Sequence, residues 1–88
     1  MGCYSIEWKT SAKKDLRKID KQKIPKILEA VANLALNPHP SNHKKIIGTE
    51  HNYRIRVGDY RVIYFLEDAK LVIEIVRVRH RKEAYNNL

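Results

Sequence analysis

The sequence predicts a small α+β domain in which a two-helix hairpin packs on one face of an antiparallel, hairpin-rich sheet. Three observations predict this class: a short strand pattern opens the chain, two amphipathic helical segments follow it, and strand patterns fill most of the second half. The expected order of elements is therefore β-α-α-β-β-β-α. A chain of 88 residues has room for one core, so residues 1–88 are expected to fold as a single domain.

The first strand and the first helix occupy the N-terminal segment. Residues 4–8 (YSIEW) alternate polar and apolar side chains, which is typical of a short strand. Thr10 or Ser11 is expected to cap the helix that follows. The apolar positions of this helix recur at helical spacing and predict its buried side: Ala12, Leu16 and Ile19.

A second helix is predicted to end at the NPHP of residues 37–40. Pro25 lacks the backbone N–H that a helix interior needs, so we expect this helix to begin late or to bend there. Its predicted inward positions are all apolar: Ile27, Leu28, Val31, Leu34 and Ala35. The basic residues on both helices invite a membrane or DNA interpretation. A helical hairpin that packs on a sheet and exposes a solvated lysine face is the simpler explanation.

The second half of the chain is predicted to form strands. Residues 53–57 and 60–67 are expected to pair as a β-hairpin across the two-residue loop Gly58-Asp59. Residues 70–80 (KLVIEIVRVRH) are nearly continuous in β-branched side chains, which predicts a strand buried on both faces. Residues 81–88 are expected to form one or two final helical turns.

The hairpin carries an unusual concentration of arginine. If its loop has two residues, Arg56 faces Arg61 across the ladder, and Arg54 joins them on one surface because side chains alternate along a strand. Like charges in direct opposition destabilise a sheet. We therefore expect a counter-charge from outside the hairpin, either a phosphate or a carboxylate of another chain. The alternative is a solvated basic strand with no ligand.

The end of the chain extends this cationic surface. Arg77 and Arg79 share one face of the last predicted strand, whereas His80 points the other way. Lys82 and Tyr85 follow immediately. Tyr85 either anchors the final helix against the sheet or leans over a phosphate bound by the arginines.

Charge and composition limit the chemistry that this chain can perform. The formal charge of +8 and the pI near 9.8 predict attraction to a polyanion. A single cysteine and the lack of a long apolar run predict a soluble cytoplasmic protein without a membrane partner. The histidines are scattered, the carboxylates do not cluster, and no glycine-rich phosphate loop occurs. Any catalysis is therefore expected to need no metal and no cofactor and to be driven by cations.

Two C-terminal motifs resemble those of a known family. The hairpin YRIRVGDYRVIY (residues 53–64) and the terminal VRVRHRKEAY (residues 76–85), in this order of elements, are similar to the RelE/ParE superfamily of bacterial toxins. The resemblance covers essentially the whole chain and favours the RelE type over the ParE type.

This resemblance implies a toxin of a type II toxin-antitoxin system that cleaves mRNA in the ribosomal A site and so halts translation. In such toxins the RNA 2′-hydroxyl attacks the adjacent phosphate and a 5′-hydroxyl leaves. Carried over by position, the catalytic pattern falls on Arg54, Arg56, Arg61, Arg79 and Tyr85. The residues Arg77, Lys82 and His80 are weaker candidates for RNA contact.

The resemblance also implies partners and an alternative. An acidic antitoxin is expected to hold the toxin inactive, and the complex is expected to bind its own operator DNA through the antitoxin. The best-studied RelE pattern has lysines where this chain has Arg54 and Arg56, which leaves the general base open because arginine is a poor base. The alternatives are a ParE-type toxin that binds DNA gyrase without nuclease activity and, more weakly, a plain basic RNA-binding module.

Overall fold

The computed structural model describes residues 3–82. The elements follow one another as β1 (Ser5–Trp8), α1 (Thr10–Arg17), α2 (Ile24–Leu34), β2 (His43–Lys45), β3 (Asn52–Val57), β4 (Tyr60–Glu67) and β5 (Val72–His80). A 3-10 turn at Asp68–Lys70 connects β4 to β5. The predicted α+β class is confirmed, with both helices packed against one face of the sheet. None of the helices within residues 3–82 has the length and apolarity needed to cross a membrane.

The five strands form one sheet in the order β1-β5-β4-β3-β2. The predicted hairpin is confirmed: β3 and β4 are antiparallel, with Val57 opposite Tyr60 and Arg56 opposite Arg61. The expectation of an antiparallel sheet is wrong at one edge, since β1 runs parallel to β5. Parallel neighbours need a long crossover, and here the helices and the other strands supply it.

One short edge strand was missed by the sequence analysis. Residues His43–Lys45 pair with β3, so that Lys44 lies opposite Arg54. Their side chains carry no apolar alternation from which a strand could be read. The open edge of β3 provides backbone hydrogen bonds to this segment, and those bonds make it a strand.

The core lies between α2 and the sheet. Its members are apolar and at most 9% exposed: Ala12, Ile19, Ile27, Val31, Leu34, Ile55, Val62, Tyr64, Leu66, Ile73, Ile75 and Val78. Burial raises the pKa of the Tyr64 hydroxyl, which donates a hydrogen bond to the Pro38 carbonyl at 2.7 Å. Leu28 was expected to face inward, but it is 44% exposed. One residue rotates a helix by about 100°, so Leu28 turns away from the side that buries Ile27.

The predicted start of α2 is confirmed, whereas the predicted cap of α1 is wrong. Pro25 lies in the first turn of α2, where no intrahelical hydrogen bond is lost, so the expected late start is confirmed. Neither Thr10 nor Ser11 caps α1, because the N-cap position is Lys9 and makes no side-chain cap. Ser11 lies inside the helix and donates its hydroxyl to the Val76 carbonyl at 2.7 Å.

A β-bulge interrupts the ladder between β4 and β5. Ile63 pairs with Arg77 while Tyr64 pairs with Ile75, so Val76 is an extra residue. The expectation that this strand is buried on both faces is wrong, since one face is buried and the other is half-buried. The bulge reverses the alternation, so Arg77 faces away from the helices although Ile75 faces toward them.

Gly58 sets the geometry of the hairpin loop. Its φ of 59° places it in the left-handed region, as the first loop residue of a type II′ turn requires. A Cβ added at Gly58 would meet no atom within 4 Å, so a substitution is penalised by its backbone conformation alone.

We expect Gly58→Ala to lower the free energy of unfolding by about 1–2 kcal/mol, because alanine is disfavoured at positive φ. Denaturant unfolding followed by circular dichroism measures this change. Gly58→Asn is the matched control and should lose less stability, since asparagine tolerates this conformation. Equal stability of the alanine variant and the wild type would contradict this account of the turn.

Candidate functional site

The face of the sheet that the helices leave open carries cations on neighbouring strands. Arg56 of β3 lies opposite Arg61 of β4, and Arg61 lies opposite Arg79 of β5. Adjacent strands are about 4.8 Å apart, so these side chains form a continuous row across the sheet. Arg54 and Lys44 face each other one step along β3 and β2. We term this surface the basic face: Lys44, Arg54, Arg56, Arg61 and Arg79.

A depression of about 300 Å³ lies on the basic face. Its lining consists of one neutral and four cationic side chains: Asn42, Lys44, Arg54, Arg56 and Arg61. Its size is at the lower end of the range for small-ligand sites. A site of this charge favours an anion that arginine can bind through two parallel hydrogen bonds, such as a phosphate.

Arg61 is the central residue of the row. It is 8% exposed, although it is charged and lies on the side of the sheet without helices. Its Nη1 donates a long hydrogen bond of 3.4 Å to the carbonyl of Tyr60. Because the residue as a whole is buried, the direction of its guanidinium is restricted before any ligand arrives. Such a donor loses little entropy when it binds.

Arg56 lies at the exposed end of the hairpin. Its Nε donates to the carbonyl of Gly58 at 3.3 Å. Asn42 precedes β2, and its side-chain Nδ2 donates to the backbone carbonyl of Arg56 at 2.8 Å. Asn42 therefore fixes the wall of the depression to β3. Sequence reasoning missed Asn42 because its contact is to backbone and crosses a loop.

Arg77 faces the same side as Arg79, as predicted, but its guanidinium is engaged by α1. Its Nε and Nη2 donate to the two carboxylate oxygens of Asp15 at 2.9 and 3.1 Å. Asp15 of the same chain therefore supplies a counter-charge to Arg77. Arg77 is not among the residues that line the depression.

The remaining predicted site residues lie at the end of β5. His80 pairs with Tyr60 and faces the helix side, as expected, with the two rings edge to face at a centroid distance of 5.4 Å. The structure therefore does not bring His80 to the basic face. Lys82 is exposed, and its backbone N–H lies 3.3 Å from Nδ1 of His80. Tyr85, and the final helix from residue 83 onward, lie outside the described residues.

Among residues 3–82, no group of three or more histidine, cysteine, aspartate or glutamate side chains could hold a metal ion. His39 and His43 approach to 3.4 Å between ring nitrogens and pack against Tyr53 on the other side of the sheet.

Comparison with protein families identifies the kind of protein that carries this surface. Residues 6–85 match the family described as the ParE toxin of type II toxin-antitoxin systems. The chain belongs to this toxin family. The predicted relationship to the RelE/ParE superfamily is thereby confirmed.

Individual relatives carry RelE-type names. The chain is 29% identical over 87 residues to the putative toxin RelE1 of Methanocaldococcus jannaschii, covering 96% of this chain and 97% of that protein. It is 32% identical over 87 residues to the toxin RelG of Mycobacterium tuberculosis, covering 93% and 95%. The archaeal RelE–RelB complex from Pyrococcus horikoshii contains a similar fold, with a TM-score of 0.79 and 31% identity over 90% of this chain and 96% of that one. These relatives favour the RelE type over a gyrase-binding toxin.

Proposed function

We propose that this toxin is a ribosome-dependent, metal-independent endoribonuclease that cuts mRNA and thereby halts translation in the cytoplasm. The observation that carries the proposal is the row Arg56–Arg61–Arg79 on the open face of the sheet. In the proposed reaction the 2′-hydroxyl of the RNA attacks the adjacent phosphorus and loses its proton. The bond to the 5′-oxygen breaks, and this oxygen leaves as a hydroxyl after it takes up a proton.

The proposed roles follow from position and charge. Arg61 and Arg79 stabilise the negative charge that develops on the phosphate oxygens, because fixed donors around a dianionic transition state contribute most of this kind of catalysis. Arg54 and Arg56 hold the RNA backbone on the opposite side of the depression. Tyr85 orients a nucleotide, as its place in the family pattern implies.

The proposed mechanism needs a group that removes the proton of the 2′-hydroxyl. Arginine remains charged at any working pH, so the basic face supplies clamps and not a base. His80 faces the helices and is separated from Arg61 by the sheet. The remaining candidates are Lys82 and Tyr85 of this chain, which follow β5, or a group of the ribosome.

The proposal is tested by expressing the chain in bacteria and mapping the 5′ ends of translated messages. New ends in phase with codons, present only while the message is translated, are the expected result. Intact mRNA together with stalled replication would instead favour the ParE-type alternative. The matching family is described as a ParE toxin, which is why this alternative is kept. A catalytically weakened variant such as Arg61→Met serves as the control for effects of expression itself.

A cognate antitoxin is the second part of the proposal. A relative from Pyrococcus horikoshii was solved as a RelE–RelB complex, and another from Methanococcus jannaschii as a RelB–RelE antitoxin–toxin complex. The charge of +8 on this chain suits an acidic partner whose amphipathic segment wraps the toxin. We propose that the antitoxin also carries the operator-DNA contacts of the complex.

Association with this antitoxin is expected to be strongly salt-dependent. Raising the salt concentration from about 50 to 500 mM should lower the association rate constant at least about tenfold, because it screens the attraction that steers the two proteins together. Stopped-flow fluorescence measures the rate. The dissociation rate should change much less. A basic partner, or an association rate that salt leaves unchanged, would contradict the proposed complementarity.

A further inference from the structure

Helix α1 takes the place of a strand along part of one edge of β5. The pairing of β1 with β5 ends at Trp8 and Ile75, so within the described residues the edge of β5 beyond Ile75 faces α1. Edge backbone groups need hydrogen-bond partners when they are covered. Ser11 donates its hydroxyl to the Val76 carbonyl at 2.7 Å, and Asp15 accepts the Val78 N–H at 2.9 Å. These two side chains are four residues apart and so share one face of the helix.

Asp15 makes more contacts with β5 than edge coverage requires. Its carboxylate accepts three hydrogen bonds, from the Val78 backbone and from Nε and Nη2 of Arg77, at 2.9, 2.9 and 3.1 Å. The side chain of Asp15 is 11% exposed, so these charge-assisted bonds are shielded from water. Both carboxylate oxygens are therefore occupied by residues that directly follow the bulge at Val76.

The position of these bonds matters because the bulge decides where Arg79 points. Without the extra residue, strand alternation would place Arg77 and Arg79 on the face of Ile73 and Ile75, which is the core. With the bulge, Arg79 lies opposite Arg61 on the basic face. Asp15 binds the backbone of one residue and the side chain of another immediately after the bulge, and so holds the strand in the bulged register.

We infer that Asp15 is a positioning residue for Arg79: its hydrogen bonds to Arg77 and Val78 lock β5 after the bulge and keep Arg79 in line with Arg61. The importance of this alignment for RNA rests on the proposed function. Asp15 itself touches no substrate in this arrangement. Its removal leaves the Val78 N–H and the Arg77 guanidinium without this acceptor, and the end of β5 loses its connection to α1.

The direction in which RNA affinity changes on removal of Asp15 distinguishes a positioning role from a general effect of net charge. Removing one carboxylate raises the formal charge from +8 to +9 (8 + 1), which by itself strengthens binding to a polyanion. Positioning predicts the opposite, a weaker affinity. Glu29 provides the matched control, since it is an exposed carboxylate on the surface of α2 and its removal changes the net charge equally.

The experiment measures affinity of the full chain for a short single-stranded RNA whose 2′-hydroxyls are methylated, so that it cannot be cleaved. Fluorescence anisotropy gives Kd for the wild type, Asp15→Ala, Arg79→Ala, the double variant and Glu29→Ala. We expect Asp15→Ala to weaken binding about five- to tenfold and Glu29→Ala to leave it unchanged or slightly tighter. In the Arg79→Ala background, Asp15→Ala should raise Kd by less than about twofold, because the residue that Asp15 positions is gone.

Thermal unfolding of each variant accompanies these measurements. If Asp15→Ala does not fold, Asp15→Asn replaces it, since the amide oxygen still accepts from Val78 but loses the charged pair with Arg77. Its expected loss is about threefold, and again the loss should disappear in the Arg79→Ala background.

Three outcomes would overturn the inference. The first is an Asp15 variant that binds the RNA as tightly as the wild type. The second is an equal loss of affinity on Asp15 substitution with and without Arg79. The third is an Arg79→Ala variant of unchanged affinity, because Asp15 would then have no RNA-binding residue to position. The probe cannot be cut, so the cycle is independent of nuclease activity. A wild type that leaves translated mRNA intact while the cycle shows coupling would refute the proposed function and retain the positioning role of Asp15.

Discussion

Replacing Arg61 with alanine is expected to abolish toxicity and to lower the rate of mRNA cleavage by at least about 100-fold. Arg61 lies between Arg56 and Arg79 in the row, and the residue is buried, so the direction of its guanidinium is restricted before the RNA binds. Removing one such fixed donor to a transition-state oxyanion typically costs about 3–4 kcal/mol. The comparison to make is single-turnover cleavage on programmed ribosomes, together with growth after induction.

The burial of Arg61 calls for a second variant, because an arginine stem contributes packing as well as charge. Arg61→Met keeps an unbranched apolar stem and removes the guanidinium, so it should be as inactive as Arg61→Ala while folding at least as stably as the wild type. Relief of like-charge repulsion across the strands favours that stability. Arg17→Met makes the same chemical change on the exposed surface of α1 and should remain toxic. A folded, fully toxic Arg61→Met variant would falsify the assignment of this residue to the site.

The sequence was sufficient to predict the hairpin part of the basic face. A two-residue loop fixes the register of its strands, and once Val57 faces Tyr60, alternation places Arg54, Arg56 and Arg61 on one side. These are local constraints, which a single sequence carries in full. The same is true of most of α2, where a proline in the first turn indicated the start and helical spacing indicated the buried side, with Leu28 as an exception.

The other half of the site depends on tertiary contacts that leave little trace in the sequence. Arg77 and Arg79 share a face at any register, but which face they share depends on the bulge at Val76. That bulge lies where α1 replaces a strand, and the bonds from Ser11 and Asp15 that hold the region come from more than 60 residues away in the chain. In the sequence, Ser11 resembles a helix cap. Asp15 resembles a solvent-exposed acid among many lysines. Their spacing of four residues, which places both on one side of α1, is the sequence feature that could have indicated their role.

The arginine-rich surface also shows how the chain distributes its compensating charges. Asp15 pairs with Arg77, and Asp59 lies 4.0 Å from Arg81 at the hairpin loop. Both carboxylates lie at the margin of the basic face, whereas the depression itself is lined by Asn42 and cations. The positive charge of this lining favours an anionic ligand that arginine can bind through two parallel hydrogen bonds, such as a phosphate.

Arg56→Lys is expected to retain cleavage and to give it a new dependence on pH. The amine of the introduced lysine would lie beside Arg61, and neighbouring positive charges lower the pKa of a lysine because they disfavour its protonated form. The deprotonated amine can accept the proton of the 2′-hydroxyl, which arginine cannot do. Activity that needs the deprotonated form rises with pH, by about tenfold per unit below the pKa of the amine, and levels off above it.

The pH–rate profile of single-turnover cleavage on ribosomes decides whether residue 56 can serve as a base. The wild type should show no ionisation that belongs to this position, since its guanidinium stays protonated. The lysine variant should gain a rising limb, and Arg56→Met, which has neither a clamp nor a base, should be slow at every pH without that limb. Lysine also loses the two parallel hydrogen bonds by which arginine grips a phosphate, and this loss lowers the rate equally at all pH values. If the profiles of the wild type and Arg56→Lys superimpose apart from a constant factor, Arg56 acts as a phosphate clamp alone, and the proton of the 2′-hydroxyl must leave through a group beyond the basic face.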